Sequence, residues 1–300
     1  MGSVDMSDYI IATASTADLP RAWLDEHQIP FISYTYTVND EELREDDCLE
    51  ESRAAAFAGM RAGDVLKTSM INEFVYYDFF KELMETGKDV IFLDMSQKMS
   101  ASYQNCLEAG EMIRKEYPAR RFCILDTRCI SGGLGVLVKA MVERMEQGMG
   151  YDELIAWGEA HKRKIVHRFT VNDLKYLKAG GRVSNASALV GAMLQIKPII
   201  YVPNEGTLEV LKKVRGRAAA LGEIRDGVLR DTMDMDAADV HVTLIQADCL
   251  AEAEALKAEL EARRPGVEVE IATLGVVIGA HCGPGFLAAV YLCEQGRTEM

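Results

Sequence analysis

Short runs of β-branched and aromatic residues alternate along the chain with longer segments whose apolar positions recur every three or four residues. In the first half this pattern predicts strands over residues 9–13, 30–36, 89–93 and 121–125. It predicts helices over 19–27, 47–62, 72–86, 102–116 and 132–147. The second half reads as helices over 151–163, 173–178, 185–193, 218–233 and 250–264. Its strands fall at 164–171, 197–200, 206–215, 241–247, 267–274 and 287–293, with a glycine-rich turn over 279–285. Strand–helix alternation implies a parallel sheet with helices on both faces, and ligands of such sheets sit beyond the carboxyl ends of the strands. The expected fold is α/β, with two α/β domains at residues 7–150 and 151–293. The first carries a mainly parallel sheet covered by helices.

Composition narrows the class without changing this picture. Apolar residues make up 49% and charged residues 27% of 300 residues, the balance of an ordinary globular chain. The longest apolar run, ALVGAMLQIKPIIYV, is broken by Lys, Gln and Pro and is too short to span a membrane, so no stable membrane insertion is expected. The opening MGSVDMSDYI lacks the basic and apolar regions of a secretion signal. Seven cysteines, with no CxxC pair and no Cys/His cluster at zinc spacing, read as reduced thiols, which makes the cytoplasm the expected location. The formal net charge of −14 would repel a phosphate backbone and argues against nucleic-acid binding. That average hides a basic island. Residues 161–230 hold 14 Lys and Arg against 5 Asp and Glu, either a solvated face or a docking surface for an acidic or phosphate-bearing partner.

The candidate chemistry gathers after strands. Thr13–Ser15–Thr16, Lys67–Thr68–Ser69 and Ser96–Ser100–Ser102 are hydroxyl-rich turns. Such turns serve either as helix N-caps or as donors to a carboxylate or phosphate. Ser131–Gly132–Gly133–Leu134–Gly135 is a weak phosphate-cradle candidate, lacking the full glycine fingerprint. Asp94 and Asp126 end apolar strands without companions at metal-ligand spacing, so no metal is expected. Of five histidines, His281 alone stands in a loop of unusual composition, as a structural group or as the lining of a ligand pocket. Cys282 beside it reads as a buried small residue or a redox thiol. No G-x-S-x-G elbow is present.

Seven segments occur in the order of a known family: IIATASTADLP, LKTS, SQKMSASYQ, ILDTRCISGGLG, DLKYLKAGGRVS, LQIKPIIYVPNEGTLEVLKKVRGRAAA and GAHCGPG. On these the chain resembles the DegV family of bacterial fatty-acid-binding proteins over nearly its whole length. The resemblance implies a long-chain fatty acid buried between the two domains, with its carboxylate held by Thr68 and Ser100 near His281. It also implies a non-catalytic role, with no cofactor, as the lipid-presenting subunit of a fatty acid kinase. The partner catalytic subunit would phosphorylate the bound acid to an acyl phosphate. Arg182 and Arg215 would then lie near the head group or the kinase-docking face. Three departures surround the head group: Ala14 for the family's aspartate, Met70 for a glutamine and Ala101 for a glycine. Leu189, Met193 and Ile199 are tail-channel or core candidates. The alternative from another class is a small-molecule enzyme on the same scaffold, with Ser100 or Cys282 as nucleophile and His281 as base.

Overall fold

The computed structural model describes residues 8–45, 48–182 and 195–297, and three sheets organise them. The first is built from β1 (Tyr9–Ala14), β2 (Phe31–Ile32), β6 (Asp89–Asp94) and β7 (Phe122–Asp126), in the order β2-β1-β6-β7. Every pairing in it is parallel. Such a sheet is covered on both faces, and its strands are correspondingly apolar: Val90, Ile91, Phe92 and Leu93 are fully buried. The helices of this half are α1 (Arg21–Glu26), α2 (Glu50–Ala62), α3 (Glu73–Glu85), α4 (Ser102–Glu116) and, after the last strand, α5 (Gly132–Glu146). Asn72 caps α3 by accepting from the backbone N–H groups of Phe74 and Val75.

A small antiparallel sheet was not legible in the sequence. It joins β3 (Thr35–Val38), β4 (Glu41–Arg44) and β5 (Leu66–Thr68) in the order β4-β3-β5. The single strand expected over 30–36 is in fact two strands in two sheets, β2 and β3. The break has a local cause. Tyr34 donates its N–H to Ser15 Oγ at 3.1 Å, and its carbonyl accepts from Glu45 N–H at 3.0 Å. Its backbone is therefore bonded outside any ladder.

After α6 (Tyr151–His161), the second sheet runs β10-β9-β8-β13-β11-β12. Its strands are β8 (Ile165–Thr170), β9 (Ile196–Tyr201), β10 (Glu209–Arg215), β11 (His241–Gln246), β12 (Glu268–Thr273) and β13 (Leu287–Leu292). All its pairings are antiparallel except β11 with β12. α8 (Arg217–Asp231) and α9 (Leu250–Arg263) cover it, while α7 (Leu174–Gly180) and α10 (Val276–Cys282) pack on each other and α10 also meets α2 and strands β3 and β5 of the small sheet. The helix α6 packs on α5 and β7, and Gly158 leaves room there for Met141 and Leu125.

Two sequence readings change, and of the two alternatives open for Ile199 the core one holds. The turn expected over 279–285 is largely helix, so His281 and Cys282 sit on the last turn of α10. Gly275 in extended conformation starts that helix and Gly283 ends it. The weak phosphate-cradle candidate at Ser131–Gly135 is filled. A Cβ at Gly133 would strike the His167 ring, and one at Gly132 would strike Ile245. These glycines serve the close packing of α5. Ile199 packs in the core of the second sheet with Val166 and Ile224, while Leu189, Met193 and the helix expected over 185–193 lie outside the described residues.

Candidate functional site

The site forms where α10, α7, β5 and the loop after β6 converge. Thr68, at the end of β5, puts Oγ1 3.0 Å from Nε2 of His281 on α10. The two are 213 positions apart in sequence. α7 can approach this pair because Gly180 has no side chain: a Cβ there would collide with His281 Nδ1. Gly181 then ends α7 in the left-handed region at φ +66°, where glycine alone carries no penalty. The turn delivers Arg182, whose Nε–H reaches the carbonyl of Met99 at 3.5 Å. That carbonyl immediately precedes Ser100. Thr68, His281, Arg182 and the serine loop thus share one neighbourhood.

Electrostatics follow from this packing. Burial, and then the Arg182 charge, push His281 down to about 4, so its imidazole is neutral at physiological pH. It carries no charge there, and its Nε2 is bonded to Thr68 Oγ1. Ser100 is half-buried, its Oγ accepts from Ser102 N–H at 3.2 Å, and the buried Tyr34 hydroxyl lies 3.4 Å from that of Tyr76. Beside Met99 and Arg182 lies a cavity of about 310 Å³, also lined by Lys98, Thr207 and Leu208. Arg182 lines this recess and also bears on the His281 ring, so it joins the recess to the Thr68–His281 pair, while Glu209 sets a carboxylate in the same lining.

Arg215 does not join them. It is exposed at the end of β10, the edge strand of the second sheet, paired in register with Ile196. Cys282 is buried, and burial pushes its thiol up to about 12, so it stays protonated at neutral pH. The hydroxyl turns divide in role. Ser15 and Ser102 accept from the backbone N–H groups of Tyr34 and Ile71, and Ser131 donates to Asp18. Among the described residues no group of three or more His, Cys, Asp and Glu is placed to hold a metal ion. None of the described helices is long and apolar enough to cross a membrane.

A family model described as an uncharacterised protein of the DegV family matches residues 9–294. The chain belongs to the DegV family. A DegV domain-containing protein of Clostridium perfringens is 30% identical over 287 residues, covering 96% of this chain and 98% of its own. A solved DegV family protein from Thermus thermophilus, described by its fatty acid binding, superposes with TM-score 0.84 at 26% identity. The match covers 95% of this chain and 99% of that one. A fatty acid binding DegV family protein from Streptococcus agalactiae gives TM-score 0.81 at 25% identity, over 96% and 99% of the two chains. The DegV architecture therefore extends over both sheets of this chain. Sequence reasoning missed Tyr34 and Tyr76 behind the serine loop, because nothing in their spacing separates a buried polar tyrosine from an ordinary core aromatic.

Proposed function

We propose that this chain binds a long-chain fatty acid between its two sheets, with the carboxylate at Thr68 and Ser100 beside His281, and has no catalysis of its own. The observation that carries the reading is the Thr68–His281 pair, 3.0 Å apart, with Arg182 and the serine loop around it. Solved relatives at 25% and 26% identity described as fatty-acid-binding support it. Each methylene of the tail contributes roughly 0.8 kcal/mol when buried, so the chain length supplies affinity and the protein needs only enough donors to satisfy the carboxylate. The enzyme alternative needs an activated nucleophile. Cys282 is a protonated buried thiol, and the Nε2 of His281 is engaged by Thr68.

In the same reading, the bound acid is presented in the cytoplasm to the catalytic subunit of a fatty acid kinase. That partner transfers a phosphoryl group to the carboxylate, giving an acyl phosphate that the carrier retains. Arg182 stands at the mouth of the recess and Arg215 on the basic face, and the kinase is proposed to dock across them. Native mass spectrometry followed by solvent extraction tests the core of the proposal. The expected result is one fatty acid per chain, released only on denaturation. Thr68→Ala with Ser100→Ala lowers retention of added palmitate by roughly 10- to 100-fold while the thermal transition stays cooperative. Unchanged retention in that double variant rules out the head-group assignment.

A further inference from the structure

The binding reading leaves Asp126 unused, although it ends β7 in register with Asp94 of β6, at the carboxyl edge where parallel sheets hold their ligands. Donors from two loops converge on its carboxylate. Oδ1 accepts from the N–H groups of Gln97 and Arg128, each at 3.2 Å. Oδ2 accepts from the Gln97 side-chain amide at 2.6 Å and lies 2.7 Å from Nε of Arg128.

Gln97 opens the serine loop. A turn there returns the Met99 N–H to the Ser96 carbonyl at 2.9 Å and leads directly into Ser100, while the Met99 carbonyl receives Arg182. Arg128 leads the other way. Held in the left-handed region at φ +56°, it donates from Nη1 to the Glu205 carbonyl at 2.8 Å, at the tip of the hairpin joining β9 to β10. Gly206, at φ +78°, lets that tip seat on the first half of the chain, because a Cβ there would collide with Ser96 Oγ and crowd Cα of Arg128. The 310 Å³ recess lies between these two walls. Lys98 and Met99 line it from the serine loop, and Thr207, Leu208 and Glu209 from the hairpin.

The walls bring opposite things to a fatty carboxylate. The serine loop ends in Ser100, a hydroxyl donor, and the hairpin carries Glu209, a like charge. Hydrogen bonds weaken steeply with misalignment, and a carboxylate close to Glu209 is repelled, so recognition depends on where each wall stands. Charge-assisted bonds from one carboxylate to both loops fix the two walls relative to a single strand end. We propose that Asp126 is a positioning residue for head-group recognition: through Gln97 it holds Ser100 toward the head group, and through Arg128 it holds the hairpin with Glu209 clear of it. The inference rests on the assignment of Ser100 to the head group.

The test compares palmitate with hexadecanol, which has the same tail length and no carboxylate, as ligands of the full chain. A merely structural role lowers both affinities together, whereas positioning of the walls lowers that for palmitate alone. Asp126→Asn keeps the size of the side chain but turns one acceptor oxygen into an N–H donor. That donor then faces either the two backbone N–H groups or the Gln97 amide and Arg128 Nε. Palmitate binding is expected to weaken roughly tenfold in Asp126→Asn, with hexadecanol changed by less than about twofold. Gln97 is exposed, so Gln97→Ala keeps the fold, and it weakens palmitate binding by about three- to tenfold. Added to Asp126→Asn it costs nothing further, because both changes cut the same tie. Equal losses for the two ligands in Asp126→Asn overturn the positioning role, as does a full additional loss from Gln97→Ala in that background. Ser100→Ala is read separately: an unchanged preference for palmitate over hexadecanol overturns the head-group assignment itself, and the role of Asp126 with it. A preference lost in Ser100→Ala but kept in Asp126→Asn and Gln97→Ala overturns the role of Asp126 alone.

Discussion

His281 illustrates how one side chain is tuned by its neighbours. Its ring sits against Gly180 and Thr68, close enough to Arg182 to feel its charge, and both burial and that charge disfavour the imidazolium. The folded pKa of about 4 lies below the ordinary histidine value of 6.5. Between these values the unfolded chain binds the extra proton, so this residue's contribution to stability is full above pH 6.5 and is lost as pH falls toward 4. In a histidine NMR titration, the resonance missing in His281→Gln is expected to stay neutral down to about pH 5. Arg182→Gln raises that midpoint but leaves it below 6.5, because burial is the larger cause. A midpoint near 6.5 in the wild-type chain would show the recess to be wet, and would remove the neutral donor from the head-group reading. His281 was singled out in sequence by its odd glycine-rich surroundings. Thr68 stood there only as one of several hydroxyl-rich turns, and its closeness to His281 came through family resemblance, since contact across 213 positions leaves no periodic trace.

At the scale of elements, α10 is oriented by a polar cluster between the two sheets. Arg53 of α2 is wholly buried and donates to the carbonyls of Asp18, Leu19 and Thr273. Asp18 and Glu45 flank it. Glu45 accepts from Val276 N–H at 2.7 Å, at the start of α10, and Asp18 accepts from the Ser131 hydroxyl. Burial pushes both Asp18 and Glu45 above the usual carboxylate range, and the Asp18 charge adds to the rise at Glu45, so near neutral pH the pair shares one proton beside Arg53. Removing the cation strands the remaining carboxylate charge, whereas an amide at Glu45 takes the place of the shared proton. Arg53→Met is expected to cost about 3–5 kcal/mol, and Glu45→Gln less than about 1 kcal/mol at pH 7. Urea unfolding midpoints at constant m would check the contrast. Equal losses would mean both carboxyls are ionised. The helices and the parallel sheet were legible because their apolar periods are long and regular. The small β4-β3-β5 sheet was not: Glu41, Glu42 and Arg44 are exposed, so β4 shows no hydrophobic alternation. The α10 helix was hidden because its glycines, Gly275 and Gly279, answer to packing on Asp18, Glu45 and Phe57 and not to a turn.

At the scale of the whole molecule, charge is distributed against the average. The chain carries −14 overall, yet the edge strand β10 exposes Lys212, Lys213 and Arg215. Two physical accounts compete for this. Lysines on an edge strand deter another chain from adding to the sheet, and that alone would explain them. A docking face for an acidic kinase surface would instead use them to steer encounter. The strand favours a separate role for Arg215. Lys212 is already paired with Glu223 at 2.6 Å, whereas Arg215 stands exposed at the strand end, with Gly216 and the start of α8 directly following. Because Arg215 is exposed at the end of the edge strand β10, Arg215→Ala is expected to leave palmitate binding unchanged. With lipid-loaded protein and the kinase catalytic subunit, it should lower kcat/KM by roughly three- to tenfold at low salt, with the difference shrinking as ionic strength rises. Steering acts on encounter, so kcat at saturating carrier should hold while KM rises. A kinase rate indifferent to Arg215→Ala at every salt concentration would return the basic strand to edge protection and leave Arg182, at the mouth of the recess, as the remaining arginine proposed for docking.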